Sequence, residues 1–251
     1  MKLSGNIIFI TGGTSGIGRA LAEELHKLNN QVIISGRRKA LLDEVTAANP
    51  GMKAVELDME NPESIKAVSA KLIADFPGLN VLINNAGVMH IDNVAAPVDE
   101  QMMQSTIATN LMGPIRLNGA LIEHLKKQPS ATVINVSSVL GFVPMAISAV
   151  YSSTKAALHS YTMSLRWQLR DTSVRVLELS PPWVQTDLLN SKEEPRAMPL
   201  AEFISEAIEV LGTEANEVLV ARAKDMRANP GVNEHTFVNA FNNMFVEGTA
   251  A

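Results

Sequence analysis

The chain has 251 residues, 46% of them hydrophobic, which suffices for one sizeable core. A net charge of -5 with no Lys/Arg cluster excludes the basic footprint expected of a nucleic-acid or anionic-membrane binder, and the absence of Cys excludes disulfides, thiolate metal sites and a cysteine nucleophile. The apolar run Ile7 to Ile10 is too short for a signal core or a membrane span, so a cytoplasmic location is expected.

Short Val/Ile-rich runs alternate with segments of helical period from end to end. The runs are Ile7–Ile10, Val32–Ile34, Ala54–Leu57, Val81–Ile83, Thr132–Val136, Val174–Leu179 and Val218–Val220. Near-continuous apolar runs separated by helices read as parallel strands buried on both faces. The expectation is a Rossmann-type, doubly wound parallel α/β sheet of about seven strands with helices on both faces, spanning residues 1–251 as one domain.

The first strand runs into a glycine-rich turn and a helix, "IIFITGGTSGIGRALAEEL". Gly12, Gly16 and Gly18 let backbone approach a pyrophosphate resting on the helix N-terminus, and Thr14 and Ser15 offer hydroxyls beside Ile17. The spacing is G-x-x-x-G-x-G, not G-x-G-x-x-G. At the end of the second strand stands "GRRK", where an NAD site would carry a carboxylate. Arg37 and Arg38 suit a 2′-phosphate, so NADP(H) is favoured over NAD(H). The alternative for these arginines is a solvated basic turn.

Further along, "NNAG" follows the fourth strand, and "TVINVSS" delivers Ser137 and Ser138 to the C-terminal end of the fifth, where open parallel sheets bind ligands. Tyr151 and Lys155 are four apart on one helix face; an ammonium held close favours a phenolate and suits proton transfer near neutral pH. The five histidines show no metal-ligand spacing, and "VSSVLG" is not a nucleophile elbow. His90, Val139, Leu140, Phe142, Met145 and Trp183 are candidates for the substrate wall.

With these motifs in order, the sequence resembles the classical short-chain dehydrogenase/reductase family over nearly its whole length. The resemblance rests on T-G-x-x-x-G-x-G (Thr11 to Gly18), N-N-A-G (Asn84 to Gly87), Thr109-Asn110, Ser138 and Y-x-x-x-K (Tyr151, Lys155). It implies a catalytic set of Asn110, Ser138, Tyr151 and Lys155. Tyr151 would be the general acid/base for a carbonyl or secondary-alcohol substrate, Ser138 would polarise the substrate oxygen, and Lys155 would bind the nicotinamide ribose and depress the Tyr151 pKa. Asn110 would bend its helix and hold a water. Asp58, with Met59 beside it, would hold the adenine amino group, and Asn85, Ala86 and Gly87 the adenosine side; a helix-capping Asp58 and a strand-capping Asn84 or Asn85 are the alternatives. A homodimer or homotetramer is also implied.

After the sixth strand the family usually reads P-G-x-V-x-T, and this chain reads Pro181-Pro182-Trp183-Val184-Gln185-Thr186, which resembles the DltE-like subgroup of bacterial oxidoreductases. Pro181, Val184 and Thr186 would hold the carboxamide, while Pro182 cannot take the positive φ open to glycine. Trp183 reads as a pocket wall or as a clamp on the next loop. Residues 190–205 read as a substrate loop or lid, and 233–247 as a C-terminal helix whose Phe237, Phe241 and Phe245 pack on the parent domain or on another subunit. An NADP(H)-binding regulatory or scaffold protein is the competing function, and an extended-branch epimerase or dehydratase is disfavoured by the short segment after residue 220.

Overall fold

The computed structural model describes residues 1–228 and 231–246. Seven strands form one parallel sheet in the order β3-β2-β1-β4-β5-β6-β7. They are β1 (Ile7–Thr11), β2 (Gln31–Gly36), β3 (Lys53–Glu56), β4 (Val81–Asn84), β5 (Ala131–Val136), β6 (Val174–Leu179) and β7 (Glu217–Val218). All seven expected strands are present, but β7 is only two residues long. The order reverses between β1 and β4, and the loops leaving their C-terminal ends open a crevice there.

The helices are α1 (Gly16–Lys27), α2 (Lys39–Ala48), α3 (Pro62–Asp75), α4 (Glu100–Ile107), α5 (Gly113–Leu125), α6 (Ala149–Gln168), α7 (Leu200–Leu211), α8 (Lys224–Ala228) and α9 (Glu234–Val246). The pleat of β1 splits the core in two. Ile8 and Ile10 join Leu21 and Leu25 of α1 and Phe203 of α7 in one cluster, whereas Phe9 joins Leu72 of α3 and Leu117 and Leu121 of α5 in the other. Fully burying each such side chain contributes about 1.5–3 kcal/mol.

Local chemistry sets the boundaries that matter for the crevice. Asn61 caps α3, accepting from the Glu63 and Ser64 amides with Pro62 at the first helical position, so Asp58 is not the cap of α3. Between α4 and α5 the chain makes a π-helical turn, Ala108–Met112, with the fully buried Asn110 at its centre. The expected bend at Asn110 is therefore a widened helical turn. Helix α7 starts at Leu200, inside the 190–205 segment expected to be a loop. Residue 247, the expected last residue of the C-terminal helix, lies outside the described residues.

Candidate active site

A cavity of about 1080 Å³ opens over the C-terminal ends of the strands. Its wall includes Gly12, Thr14, Ser15, Gly16, Ile17 and Gly18 from the first turn, Arg37 and Arg38 after β2, Asp58 and Met59 after β3, and Asn85, Ala86 and Gly87 after β4. Ser138, Tyr151, Lys155, Pro181, Val184 and Thr186 complete it. Of the expected catalytic and cofactor-binding residues only Asn110 is not on the wall; it lies behind Gly87.

The glycine turn is built for close approach. Gly12 and Gly16 have φ of +69° and +53°, a conformation that side chains disfavour. A Cβ at Gly18 would overlap the Asn85 side chain and the Gly12 carbonyl. Asn85 Nδ2 donates to the Thr11 and Gly12 carbonyls at 2.9 and 3.3 Å, and Thr11 Oγ1 accepts from the Asn85 and Ala86 amides at 3.0 Å each. The "NNAG" stretch thus fastens β4 to the turn after β1 instead of capping a strand end. Ser15 makes no side-chain cap to α1, and the first turn of that helix holds no acidic residue. The α1 N-terminus therefore presents amides and the positive end of its dipole to the cavity, which fits the pyrophosphate of a dinucleotide.

At the adenosine end, the Asp58 Oδ1 accepts from the Glu60 amide at 3.0 Å, a local turn that fixes the carboxylate on the cavity wall. Arg37 lies 3.4 Å from Glu60, with 60% of its side chain exposed. Glu60 also accepts from Ser105 and Thr109 at 2.9 and 3.3 Å, so it has partners other than Arg37.

At the other end, Tyr151 and Lys155 are both buried in the first half of α6. Asp92, which the sequence reading did not single out, accepts from the Ala149 and Val150 amides at 3.0 and 2.9 Å and so caps α6 from the loop after β4. No local signal marks it, because the helix it caps begins 57 residues later. His90 is exposed and is not on the cavity wall; only its carbonyl is used, accepting from Ser148. Phe142 also turns away, packing edge-on against His159 at 4.9 Å. Both expectations are corrected, while Val139, Leu140, Met145 and Trp183 do line the cavity.

The electrostatics differ from the simple Tyr–Lys expectation. Burial pushes the Tyr151 phenol up to about 12, with the nearby Ser138 hydroxyl acting in the other direction. Lys155 Nζ donates to the Val136 carbonyl at 2.8 Å and sits 5.5 Å from the Tyr151 ring centroid, and burial brings its own pKa down to about 8. The lysine is anchored to β5 beside the tyrosine, and burial is the largest influence on both groups. Asn110 Oδ1 accepts from the Val88 amide at 2.9 Å and its Nδ2 donates to the Val88 carbonyl at 2.8 Å and to Thr154 Oγ1 of α6 at 3.3 Å, tying the segment after "NNAG" to the π-helical turn and to α6.

Trp183 lies on the cavity wall and clamps the loop that follows, its Nε1 donating to Ser191 Oγ at 2.7 Å. The Met198 amide bonds the Trp183 carbonyl at 2.8 Å and the Gln185 amide bonds the Met198 carbonyl at 2.9 Å, so the loop is stapled along the proline stretch. Leu189 and Asn190 in that loop both hold φ of 53°, which is unfavourable for leucine. The C-terminal helix covers the mouth: Phe241 and Phe245 line the cavity, and Asn242 donates to the Pro144 carbonyl at 3.0 Å. Packing on the parent domain is thus observed, with a direct place in the site that the apolar stripe alone did not reveal.

A crevice with a glycine turn under one end and a buried Ser–Tyr–Lys group under the other defines a dinucleotide-dependent oxidoreductase fold. The chain belongs to the short chain dehydrogenase family, whose family model matches residues 6–197. It is 38% identical over 207 residues to the uncharacterized oxidoreductase DltE of Bacillus subtilis (strain 168), covering 82% of each chain. Among solved structures it resembles a short chain dehydrogenase from Burkholderia cenocepacia J2315 in complex with NADP, at 25% identity and a TM-score of 0.83, covering 94% of this chain and 97% of that one. It also resembles a 3-ketoacyl-(acyl-carrier-protein) reductase from Brucella melitensis complexed with NADH, at 25% identity and a TM-score of 0.77, covering 85% and 93%. No helix among the described residues is long and apolar enough to cross a membrane.

Proposed function

We propose that this oxidoreductase is NADP(H)-dependent and reduces a carbonyl to a secondary alcohol, with Tyr151 giving the proton to the substrate oxygen. The observation that carries this reading is the buried Tyr151 phenol, which shares with Ser138 and Lys155 the wall of the same cavity as the glycine turn. The bound dinucleotide supplies a hydride to the carbonyl carbon. Ser138 polarises the substrate oxygen, and the Tyr151 proton passes to it as negative charge develops there. A phenol pushed up to about 12 stays protonated through the physiological range, which suits a donor in reduction better than a base in oxidation. Lys155 places a positive charge beside the phenolate that remains and is positioned to bond the ribose hydroxyls. Val184 and Thr186 hold the carboxamide from the rigid proline shelf, and Asp58 binds the adenine amino group.

The test is NADPH oxidation against a panel of ketones and aldehydes. Tight NADPH binding with no turnover on any of them would replace this reading with a binding-only role.

Arg37 carries the preference for NADP(H), exchanging its exposed pairing with Glu60 for the 2′-phosphate. In Arg37→Ala the KM for NADPH is expected to rise roughly 10–100-fold, with that for NADH changing less than about twofold. Equal changes for the two cofactors would remove Arg37 from the site. The mouth formed by Leu140, Met145, Trp183, Phe241 and Phe245 is apolar, which suits a carbonyl carried on an apolar or mixed body. Phe245→Ala is therefore expected to raise KM for bulky apolar carbonyls by roughly tenfold, with NADPH affinity unaltered. A uniform loss across small and large substrates would count against a contact with the substrate body.

A further inference from the structure

Strand β6 carries a carboxylate where a core strand has no packing use for one. Glu178 is fully buried, at 0% exposure, on the face shared by Val174 and Val176 and packed by α6. Such a group persists in a core only when paired and hydrogen-bonded. Glu178 Oε1 accepts from Ser137 Oγ at 2.5 Å and lies 3.4 Å from Ser180 Oγ, while Oε2 lies 2.7 Å from His159 Nδ1. Ser137 and Ser180 also bond each other at 2.8 Å. Each partner is a neighbour of a site residue. Ser137 precedes Ser138, Ser180 precedes Pro181, and His159 lies one helical turn after Lys155. Glu178 itself is not on the cavity wall.

We propose that Glu178 is a positioning residue of the active site: it is the buried countercharge of Lys155, fixed to β5, β6 and α6 so that the ammonium stays charged beneath the cavity. The proposal rests on the oxidoreductase reading above. Lys155 Nζ donates to the neutral carbonyl of Val136, and the next residue, Ser137, bonds Glu178. His159, one turn beyond Lys155 on the same face of α6, meets the other carboxylate oxygen. Ammonium and carboxylate are thus held against the same two elements, and Glu178 opposes the effect of burial on Lys155. The other ionisable groups around Glu178 are His159 and Arg166 of α6, Glu217 of β7 and Arg227 of α8. Arg227 is committed to Glu217 through two bonds of 2.7 and 2.9 Å. Arg166 donates to the Val176 and Asn216 carbonyls. His159, Glu178 and Glu217 bring ligand atoms within 4.8 Å of one another, the spacing of a cation site. Arg227 and Ser137 already hold those carboxylates, so a cation would have to displace both.

Glu178→Gln keeps the side-chain shape and removes the charge. In protein labelled with 13C-lysine, the Lys155 Cε resonance, assigned by its loss in Lys155→Met, reports the ammonium directly and needs no turnover. Its midpoint is expected to fall by on the order of one pH unit in Glu178→Gln. The alkaline limb of kcat should move down by the same amount, and Glu178→Asp, which restores a carboxylate, should bring both back towards wild type. A folded Glu178→Gln protein with an unmoved Lys155 midpoint overturns the proposal, while persisting NADPH turnover would leave the oxidoreductase reading intact. A moved midpoint with no turnover in the wild type sinks that reading and leaves the Lys155–Glu178 coupling standing. Should Glu178→Gln not fold, the 13C carboxyl resonance of Glu178 in the wild type decides. A carboxylate ionised from pH 6 to 9 supports the countercharge, and a neutral carboxyl at pH 7 overturns it.

Discussion

Replacing Tyr151 by phenylalanine is expected to lower kcat by roughly 10²–10⁴-fold, the usual range for one positioned general acid, and to leave NADPH affinity nearly unchanged. The change removes one hydroxyl from a buried ring and leaves the ring packing of α6 intact. Asp92 still caps the helix, Lys155 still donates to Val136, and the glycine turn is untouched. Single-turnover NADPH oxidation with a competent carbonyl gives the chemical step directly. Turnover within about tenfold of wild type would show that another group delivers the proton, and Ser138, which shares the cavity wall with the phenol, would be the first to examine.

The second large effect is expected at Gly18. In Gly18→Ala the new methyl group would occupy the space of the Asn85 carboxamide and the Gly12 carbonyl. One of these is backbone and the other is fastened to Thr11, so neither yields easily. Overpacking of this kind costs about 1–3 kcal/mol, and a chain of this size loses about 2–4 °C in Tm for each kcal/mol. Cofactor binding should suffer more, because the shift falls on the amides that meet the pyrophosphate. NADPH affinity is expected to drop at least ~100-fold, about 2.7 kcal/mol. Fluorescence titration and thermal melting separate the two effects, and normal affinity in the variant would refute the close approach assigned to this turn.

The strands were legible because a sheet covered on both faces writes them as short Val/Ile runs, and all seven are found where those runs lie. The glycine turn and the Tyr151–Lys155 pair were legible because backbone approach and helix-face spacing leave residue-level marks. His90 and Phe142 were misplaced for a physical reason. Their position after a strand end fixes which loop they occupy but not which way the side chain turns, and Phe142 turns to the aromatic edge of His159. Asp92 acts through a long-range cap, and α9 reaches the mouth across more than 90 residues of chain through Asn242. Neither contact has a local pattern. Glu178 was visible in principle, since a carboxylate inside "VRVLEL" breaks the apolar run of a strand with two covered faces. Its partners, however, come from three separate elements.

The two outermost strands bear on how this chain meets its neighbours in a crowded solution. At one margin β7 is only two residues long, with Val218 buried and Glu217 held by Arg227. At the other, β3 is four residues long and is bounded by Lys53 and Glu56. A foreign strand docking there would find few free amides and a charge at either end, the devices that guard open sheets against amyloid-like stacking. The sheet is therefore closed to lengthening from both sides.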